Sequence, residues 1–271
     1  MSKGPMKAVI LAAGKGARLN GTAGDLPKCL VRVGEATLIE YQIQALRSAG
    51  VDQIVVVVGY GADRVRRTCG PDCVYVENSD YASTNSLFSL WLARDYLADG
   101  FVVLNADVLF HPDLLDDLLR SGHEDALLMA YCDGQATGLG EEEMKVRVRG
   151  GCVADISKQI DPREADGENV GIVKFGASGA SALVKHMDSL VANGARRDWA
   201  PRAFREFARE LPLHAIGTRG RPWIEIDFPE DYLKAINEIL PLIINDERDG
   251  EMRRLAFATS GGMRGRAQHE L

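Results

Sequence analysis

The chain has 271 residues, a formal net charge of −7 at pH 7 and five cysteines. A chain of this length can bury a substantial core without disulfide bonds, and we expect one large α/β domain with a small appended lobe. The acidic balance argues against a nucleic-acid-binding surface, so we expect no nucleic-acid partner and only a small, concentrated phosphate site.

The cysteines are odd in number and lack paired CxxC spacing, which fits neither a disulfide framework nor a zinc site. We therefore expect reduced thiols. The apolar run near the N-terminus spans only Ala8 to Ala13, which is too short for a signal sequence or a membrane-spanning helix. We expect a cytoplasmic protein with no membrane partner.

Short apolar runs alternate with helical patterns along the first half of the chain. The runs KAVILAA, QIVVVVG and FVVLNAD are apolar at successive positions, which is typical of parallel strands covered on both faces. Apolar residues at helical spacing follow in TLIEYQIQALRSAG, GADRVRRTCG and TNSLFSLWLARDYLADG. This alternation predicts a Rossmann-like, doubly wound α/β fold with a mostly parallel mixed sheet. Such sheets bind ligands at the carboxyl ends of their strands, in the loops after Ala13, Val58 and Ala106.

The second half reads as a mixed, β-rich lobe. EMKVRVRGGCVADIS alternates around Gly150 and Gly151, which predicts a hairpin, and NVGIVKFG reads as a strand. Two helices, SGASALVKHMDSLVANG and PRAFREFARE, precede the strands LPLHAIG and PWIEID and a last helix that opens with Pro229. We expect a single domain over residues 1–244, with a nucleotide-binding half at 7–135 and an acceptor-binding half at 136–244. The tail, 245–271, is expected to be loosely ordered.

A glycine-rich loop from Gly14 to Lys28 follows the first strand. Leu19 stands where a dinucleotide fingerprint needs its third glycine, and the Walker A pattern is absent from the loop. One alternative is a plain flexible turn. The glycines otherwise let backbone N–H groups approach an anion, and Arg18 and Lys28 add charge-assisted contacts, which suits a triphosphate. The residues expected to contact the nucleotide here are Leu11, Ala12, Ala13, Gly14, Lys15, Gly16 and Lys28.

The pattern LAAGKGARL…PKCLV, followed by LIEYQIQAL, resembles the nucleotidyltransferases that activate phosphorylated small molecules with a nucleoside triphosphate. Within them, LIEYQIQALRSAGVDQIVVVVGY and NSLFSLWLARDYL resemble the bacterial choline-phosphate cytidylyltransferase group, which includes enzymes that load CMP onto inositol phosphate and phosphonates. The resemblance runs from Lys7 to Leu240 and is strongest in the first 110 residues. It implies the nucleotidyltransferase fold, with Mg²⁺ as cofactor and CTP and a small phosphorylated or phosphonate acceptor as substrates.

Two aspartates follow predicted strands, Asp107 after FVVLNA and Asp227 after WIEI. In the resembling family an aspartate at each position holds Mg²⁺ against the α-phosphate, and the proline-lysine pair ending in Lys28 approaches the same phosphate. Each aspartate has an alternative role as a helix N-cap, because a helical pattern follows it. We expect Asp107 and Asp227 to bind the metal, with Lys28 and Arg18 completing the catalytic set.

Asn85 and Ser86 stand at a predicted helix start, where free N–H groups and the helix dipole favour an anion. Simple capping is the alternative, although in the resembling group the TNS segment lines the active site. Gly59 and Ala106 lie at strand ends and join these residues in the expected nucleotide site.

The acceptor site is expected to contain Lys158, Glu225 and Trp223. Lys158 follows the strand CVADIS, and an ordinary surface lysine is nearly as consistent with its context. Glu225 lies on the same strand face as Asp227, so it can share the metal or meet a cationic acceptor. A choline headgroup needs an aromatic face and an acid. The sequence does not choose among the aromatic candidates Tyr81, Trp91, Trp199 and Trp223, of which Trp223 joins the expected set.

An acceptor phosphate monoester has a second pKa of about 6 and is nucleophilic near neutrality, so the reaction requires no general base. We expect a Mg²⁺-dependent enzyme that transfers CMP from CTP to a small phosphorylated alcohol or phosphonate and releases pyrophosphate. One alternative is a sugar-1-phosphate nucleotidyltransferase, although Ser157-Lys158-Gln159 replaces the Glu-Lys-Pro of those enzymes and no hexapeptide repeat follows. Another is an inactive nucleotide-binding regulatory subunit, which would not need both metal acids. The sequence leaves the oligomeric state open, a homodimer included.

Overall fold

A computed structural model describes residues 6–16, 19, 25–132 and 139–246. The strands are β1 (Lys7–Ala12), β2 (Arg32–Val33), β3 (Ala36–Thr37), β4 (Gln53–Val58), β5 (Val74–Glu77), β6 (Phe101–Asn105), β7 (Val108–Phe110), β8 (Ala126–Tyr131), β9 (Lys145–Arg149), β10 (Cys152–Ser157), β11 (Gly167–Phe175), β12 (His214–Gly217) and β13 (Trp223–Glu225). The α-helices are α1 (Leu38–Ser48), α2 (Ala62–Cys69), α3 (Ser86–Leu92), α4 (Pro112–Leu119), α5 (Ala177–Ala192), α6 (Pro201–Glu210) and α7 (Pro229–Lys234). α7 continues through a π-helical segment, Ala235–Ile239, and helical residues to 246. Within these ranges, no helix combines the length and apolarity that crossing a bilayer requires.

One nine-stranded sheet organises the molecule, in the order β5-β4-β1-β6-β11-β8-β12-β10-β9. β1 pairs in parallel with β4 and β6, and β4 pairs in parallel with β5, so the carboxyl ends of these strands meet at one edge. β11 lies antiparallel between β6 and β8, and the hairpin of β9 and β10 forms the far edge. The expected α/β fold with a mixed sheet is confirmed, and strands β9 to β12 of the second half extend this same sheet.

Helices cover both faces of the sheet because alternate side chains of each strand point to opposite sides. Ala8 and Ile10 of β1 pack in a core that includes residues of α1, α2 and α4. Val9, between them, packs in a second core with residues of α3, α5 and α6. Burial on both faces explains why residues 8–13 and 54–58 are apolar at every position. Cys29, Cys69, Cys73 and Cys152 form no disulfide bond with one another.

A two-stranded ribbon of β7 and β13 stands beyond the end of β6. Val108 pairs with Glu225, and Phe110 pairs with Trp223. Because the chain continues as a strand after Asp107, α4 begins only at Pro112, and its N-cap is His111. The N-cap alternative for Asp107 is therefore wrong. The helix that follows β13 packs its apolar side chains against this ribbon, so the C-terminal helical segment supports it.

A capping box fixes the start of α1. The Thr37 hydroxyl accepts a hydrogen bond from the backbone N–H of Glu40, and the Glu40 carboxylate accepts one from the Thr37 backbone N–H at 2.8 Å. The bonds from Thr37 lower the pKa of Glu40 below its usual value. This pairing satisfies amide groups that the first turn of a helix otherwise leaves without partners.

Replacing Thr37 with alanine should lower the free energy of unfolding by about 1 kcal/mol, because the helix loses its capping oxygen. Thr37→Ser keeps that oxygen and should retain most of the stability. Urea denaturation of the two variants measures the difference. Equal loss in both would show that the Thr37 methyl group, and not the cap, is the stabilising element.

Candidate active site

A cavity of about 490 Å³ opens at the carboxyl ends of β1 and β6. Its wall combines the loop after β1, the turn between β6 and β7, the start of α3, the end of β13 and side chains of the second half. A smaller cavity of about 190 Å³ shares several residues of the glycine loop and of the β6–β7 turn with it. The expected site residues that line these cavities are Leu11, Ala12, Ala13, Gly14, Gly16, Lys28, Asn85, Ser86, Ala106, Asp107, Lys158, Glu225 and Asp227.

Lys28 is held against the glycine loop. It opens a short 3₁₀ turn, Lys28–Leu30, whose next two side chains are buried. Gly16 has a φ of +66°, and a Cβ there would lie 2.5 Å from the Cβ of Lys28. Gly61 has a φ of +60°, and a Cβ there would lie 2.6 Å from Cγ of Pro27. Glycine at both positions therefore allows the backbone to pack closely on the proline-lysine pair.

Asp107 and Asp227 are brought together by a backbone hydrogen bond between their chain segments. Asp107 lies in the turn between β6 and β7, and its carbonyl accepts a hydrogen bond from the N–H of Ile226 at 3.0 Å. Asp231 accepts hydrogen bonds from the N–H groups of Asp227 at 3.0 Å and Phe228 at 2.8 Å. These contacts hold both aspartates at the mouth of the cavity.

Lys28 bridges the two aspartates. Its Nζ donates to Oδ2 of Asp107 at 2.7 Å and also to Oδ1 of Asp227. Burial alone would lower the pKa of Lys28, but the charges and hydrogen bonds of Asp107 and Asp227 outweigh burial and raise it. The ammonium group is therefore a permanent cation at neutral pH.

Glu225 adds a third carboxyl group to this cluster. Burial raises the pKa of Glu225 to about 8, and the charges of Asp107 and Asp227 act in the same direction, while Lys28 opposes them. At neutral pH the Glu225 carboxyl is therefore mostly protonated, because the single charge of Lys28 does not offset both burial and the two aspartates. A further cation among them would remove part of their mutual repulsion.

The acid cluster fits a hard divalent cation. Asp107, Glu225 and Asp227 each offer one oxygen, and these oxygens all lie within 4.8 Å of one another. Oδ1 of Asp107 is buried and has no hydrogen-bond partner among the described residues, although buried carboxylate oxygens are normally satisfied. Carboxylate oxygens are the ligands that Mg²⁺ prefers. The donor set therefore suits Mg²⁺ and gives an unpartnered oxygen a role.

Three expected residues are not on the cavity wall. Trp223 packs against the core beside β7. Glu225 is the residue of β13 that lines the cavity. Lys15 is exposed and places its Nζ 5.2 Å from the ring centroid of Tyr60. Gly59 lies beneath the wall, where a Cβ would come within 2.8 Å of Ala13 O. Arg18 lies outside the described residues.

The start of α3 lines the cavity, but its backbone N–H groups already have partners. The N–H of Asn85 donates to Arg196 O at 2.9 Å, and the N–H of Leu87 donates to Asp198 O at 3.1 Å. The N–H of Ser86 donates to the Asn85 side chain at 2.8 Å. These three N–H groups are therefore already occupied, whereas the side chains of Asn85 and Ser86 line the cavity.

The far wall of the cavity combines the expected Lys158 and one of the four aromatic candidates, Trp199, with residues that the sequence did not single out. Glu142 forms an ion pair with Lys158 at 3.3 Å, and the same Nζ lies 4.9 Å from the ring centroid of Trp199. Met144 and Asn169 complete this part of the wall. Glu142 and Met144 lie in a charged loop between strands, and Trp199 lies between helices, so no local pattern marks them. Only the packing of distant segments reveals them.

A family model described as the MobA-like NTP transferase domain matches residues 8–238. The choline-phosphate cytidylyltransferase of Streptococcus pneumoniae is 31% identical over 239 residues, which cover 87% of this chain and 98% of the relative. The CTP:phosphoglutamine cytidylyltransferase of Campylobacter jejuni is 26% identical over 199 residues, covering 68% of this chain and 79% of the relative. The solved structure of the CTP:phosphocholine cytidylyltransferase from Streptococcus pneumoniae aligns with a TM-score of 0.67 at 27% identity, covering 84% of this chain and 96% of that one.

The family match runs from β1 to the helical segment after α7 and so includes every element that contributes to the cavity. The resemblance inferred from the glycine loop is confirmed: the chain belongs to the family of MobA-like NTP transferase domains and is a nucleotidyltransferase.

Proposed function

We propose that this protein is a Mg²⁺-dependent cytidylyltransferase that transfers CMP from CTP to a small phosphorylated alcohol or phosphonate and releases pyrophosphate. The observation that carries the proposal is the bridge from Lys28 to Asp107 and Asp227, which joins the glycine loop to an acid cluster in one cavity. The relatives from Streptococcus pneumoniae and Campylobacter jejuni differ in acceptor but share the cytidylyl donor, which supports CTP.

The proposed chemistry needs positioning and charge neutralisation more than proton transfer. The glycine loop holds the triphosphate through backbone N–H groups, and the Lys28 ammonium moves from the aspartates to a phosphate oxygen. Asp107 and Asp227 would hold Mg²⁺, with Glu225 beside them, and the metal would withdraw charge from the α-phosphate when bound. The acceptor phosphate attacks as an anion, so none of the histidines is required as a base.

Residues on the far wall support an amine-bearing acceptor. Glu142 and Glu225 place carboxyl groups on the cavity wall, and Trp199 adds an aromatic ring. A cationic headgroup would be attracted by the ring, by the Glu142 carboxylate and by Glu225 once that group is ionised, whereas a hexose brings no charge. Because Lys158 already contacts both Glu142 and the Trp199 ring, we assign the acceptor amine to Glu225 first and to these two groups second.

Activity should depend on the metal and on both aspartates. We expect EDTA to abolish pyrophosphate release and Mg²⁺ to restore it. Asp107→Asn and Asp227→Asn should each lower kcat at least about 100-fold, because loss of even an indirect partner of a metal ligand costs 10–100-fold. Asp99→Asn, at an exposed ion pair with Lys7, is the matched control and should behave as wild type. Full activity of either site variant in excess EDTA contradicts the metal assignment.

Lys28 and a divalent cation should compete for the same carboxylates. Lys28→Met should therefore raise the affinity of the nucleotide-free protein for Mn²⁺, measured by electron paramagnetic resonance, while kcat/KM falls because the triphosphate loses a cation. Lys158→Met removes a cation of the same type that does not contact the aspartates, and should leave Mn²⁺ affinity unchanged. Weaker Mn²⁺ binding by Lys28→Met would show that the lysine supports the metal site instead of competing with it.

Substrate preference distinguishes the proposal from sugar activation. We expect kcat/KM for CTP with phosphocholine or 2-aminoethylphosphonate to exceed that for UTP or dTTP with glucose 1-phosphate, because only the former acceptors carry a cation for Glu142 and Glu225. A pyrophosphate-release assay that crosses the donors with the acceptors gives both values. A higher value for the sugar pair assigns the protein as a sugar-1-phosphate nucleotidyltransferase, and no activity with any pair favours a regulatory role.

A further inference from the structure

We infer that Gln42, on the opposite side of the β6–β7 turn from the cavity, is a positioning residue for the metal ligand Asp107. The inference rests on the proposed function. Gln42 lies on α1, and its Nε2 donates two hydrogen bonds of 2.8 Å, one to Asn105 O and one to Val108 O. These carbonyls belong to the last residue of β6 and the first residue of β7. They flank the two-residue turn, Ala106 and Asp107, so one amide group clamps both ends of the turn.

The clamp completes the set of contacts that orient Asp107. On its other side, the Asp107 carbonyl accepts the hydrogen bond from Ile226 that links the turn to β13. Gln42 is only 1% exposed, so water cannot readily replace its two donors. Without Gln42, one buried and one partly buried carbonyl would lose this partner, and the turn could shift to satisfy them. Such a shift would move the Asp107 carboxylate relative to Asp227.

The polar character of Gln42 argues for a role beyond filling space. The neighbouring buried positions of α1 are apolar: Leu38, Ile39, Ile43 and Leu46. An aliphatic side chain at residue 42 would continue this face of the helix and would bury no polar side-chain atom, but it would leave the carbonyls of Asn105 and Val108 without this donor. Gln42 instead leaves its Oε1 buried without a hydrogen-bond partner among the described residues, which is unfavourable for folding. The amide therefore leaves one oxygen unsatisfied, while the hydrogen bonds that it donates hold the turn that carries Asp107.

The test is Gln42→Met, which keeps the length of the side chain and removes both donors. The matched control is Gln44→Met, on an exposed position of the same helix. CTP is titrated into each full-length protein by calorimetry, once with Mn²⁺ and once with EDTA, and the ratio of the two affinities gives the metal-dependent gain. We expect Gln42→Met to reduce this gain about tenfold or more, as loss of an indirect partner of a metal ligand does, with the EDTA affinity unchanged. Gln44→Met should match wild type in both titrations.

The outcomes separate this inference from the proposed function. A lower melting temperature of Gln42→Met with an unchanged metal-dependent gain makes Gln42 purely structural and overturns the inference alone. No gain for the wild-type protein overturns the metal assignment of the proposed function, and this inference with it. Gln42→Glu, which has the same shape but donates poorly, repeats the test should the methionine variant not fold. Retention of the wild-type gain in that variant also contradicts the inference.

Discussion

The bridge formed by the Lys28 ammonium between the carboxylates of Asp107 and Asp227 is the interaction on which the site depends. Lys28 follows the glycine loop after β1, Asp107 lies in the turn after β6, and Asp227 follows β13. Three segments far apart in the chain therefore meet at one cation. The parallel pairing of β1 with β6 makes this meeting possible, because their carboxyl ends lie at the same edge of the sheet.

The same bridge explains how Asp107 and Asp227 can lie close together in a site proposed to bind a triphosphate. Like charges at this distance repel, and the lysine offsets part of that repulsion. A metal and a triphosphate that arrive together can replace the bridge without leaving any charge alone, since the lysine gains a phosphate and the acids gain a cation. A metal that arrives by itself must displace the lysine first. Under the proposed function, this arrangement would favour binding of the metal as a complex with the nucleotide.

Local patterns predicted the strands and the loop that lead into the site. Val9 and Ile10 lie in a run that is apolar at every position because both faces of β1 are covered, and the residues that end β1 and β6 open into the cavity as expected. Asp107 was predicted from its place after a buried strand. Each of these features depends on the pattern of apolar and polar residues within a short segment, so the sequence alone predicts it.

Contacts between distant segments account for what the sequence could not show. The sequence does not distinguish Trp223 from Trp199 as a site residue. Pairing of β13 with β7 packs Trp223, partly buried, against the core, and the segment before α6 brings Trp199 to the cavity. The sequence predicts free N–H groups at the start of α3, but in the structure the carbonyls of Arg196 and Asp198, more than 100 residues later in the chain, accept hydrogen bonds from two of them. Neither outcome leaves a periodic or motif signal.

The position of the metal relative to Lys28 tests the account most directly. A crystal structure of the protein with Mn²⁺ and a non-hydrolysable CTP analogue would locate the metal by its anomalous scattering. The account predicts a peak between the carboxylates of Asp107 and Asp227, with Nζ of Lys28 moved onto a phosphate oxygen. A metal bound elsewhere, with Lys28 still bridging the two aspartates, would contradict it.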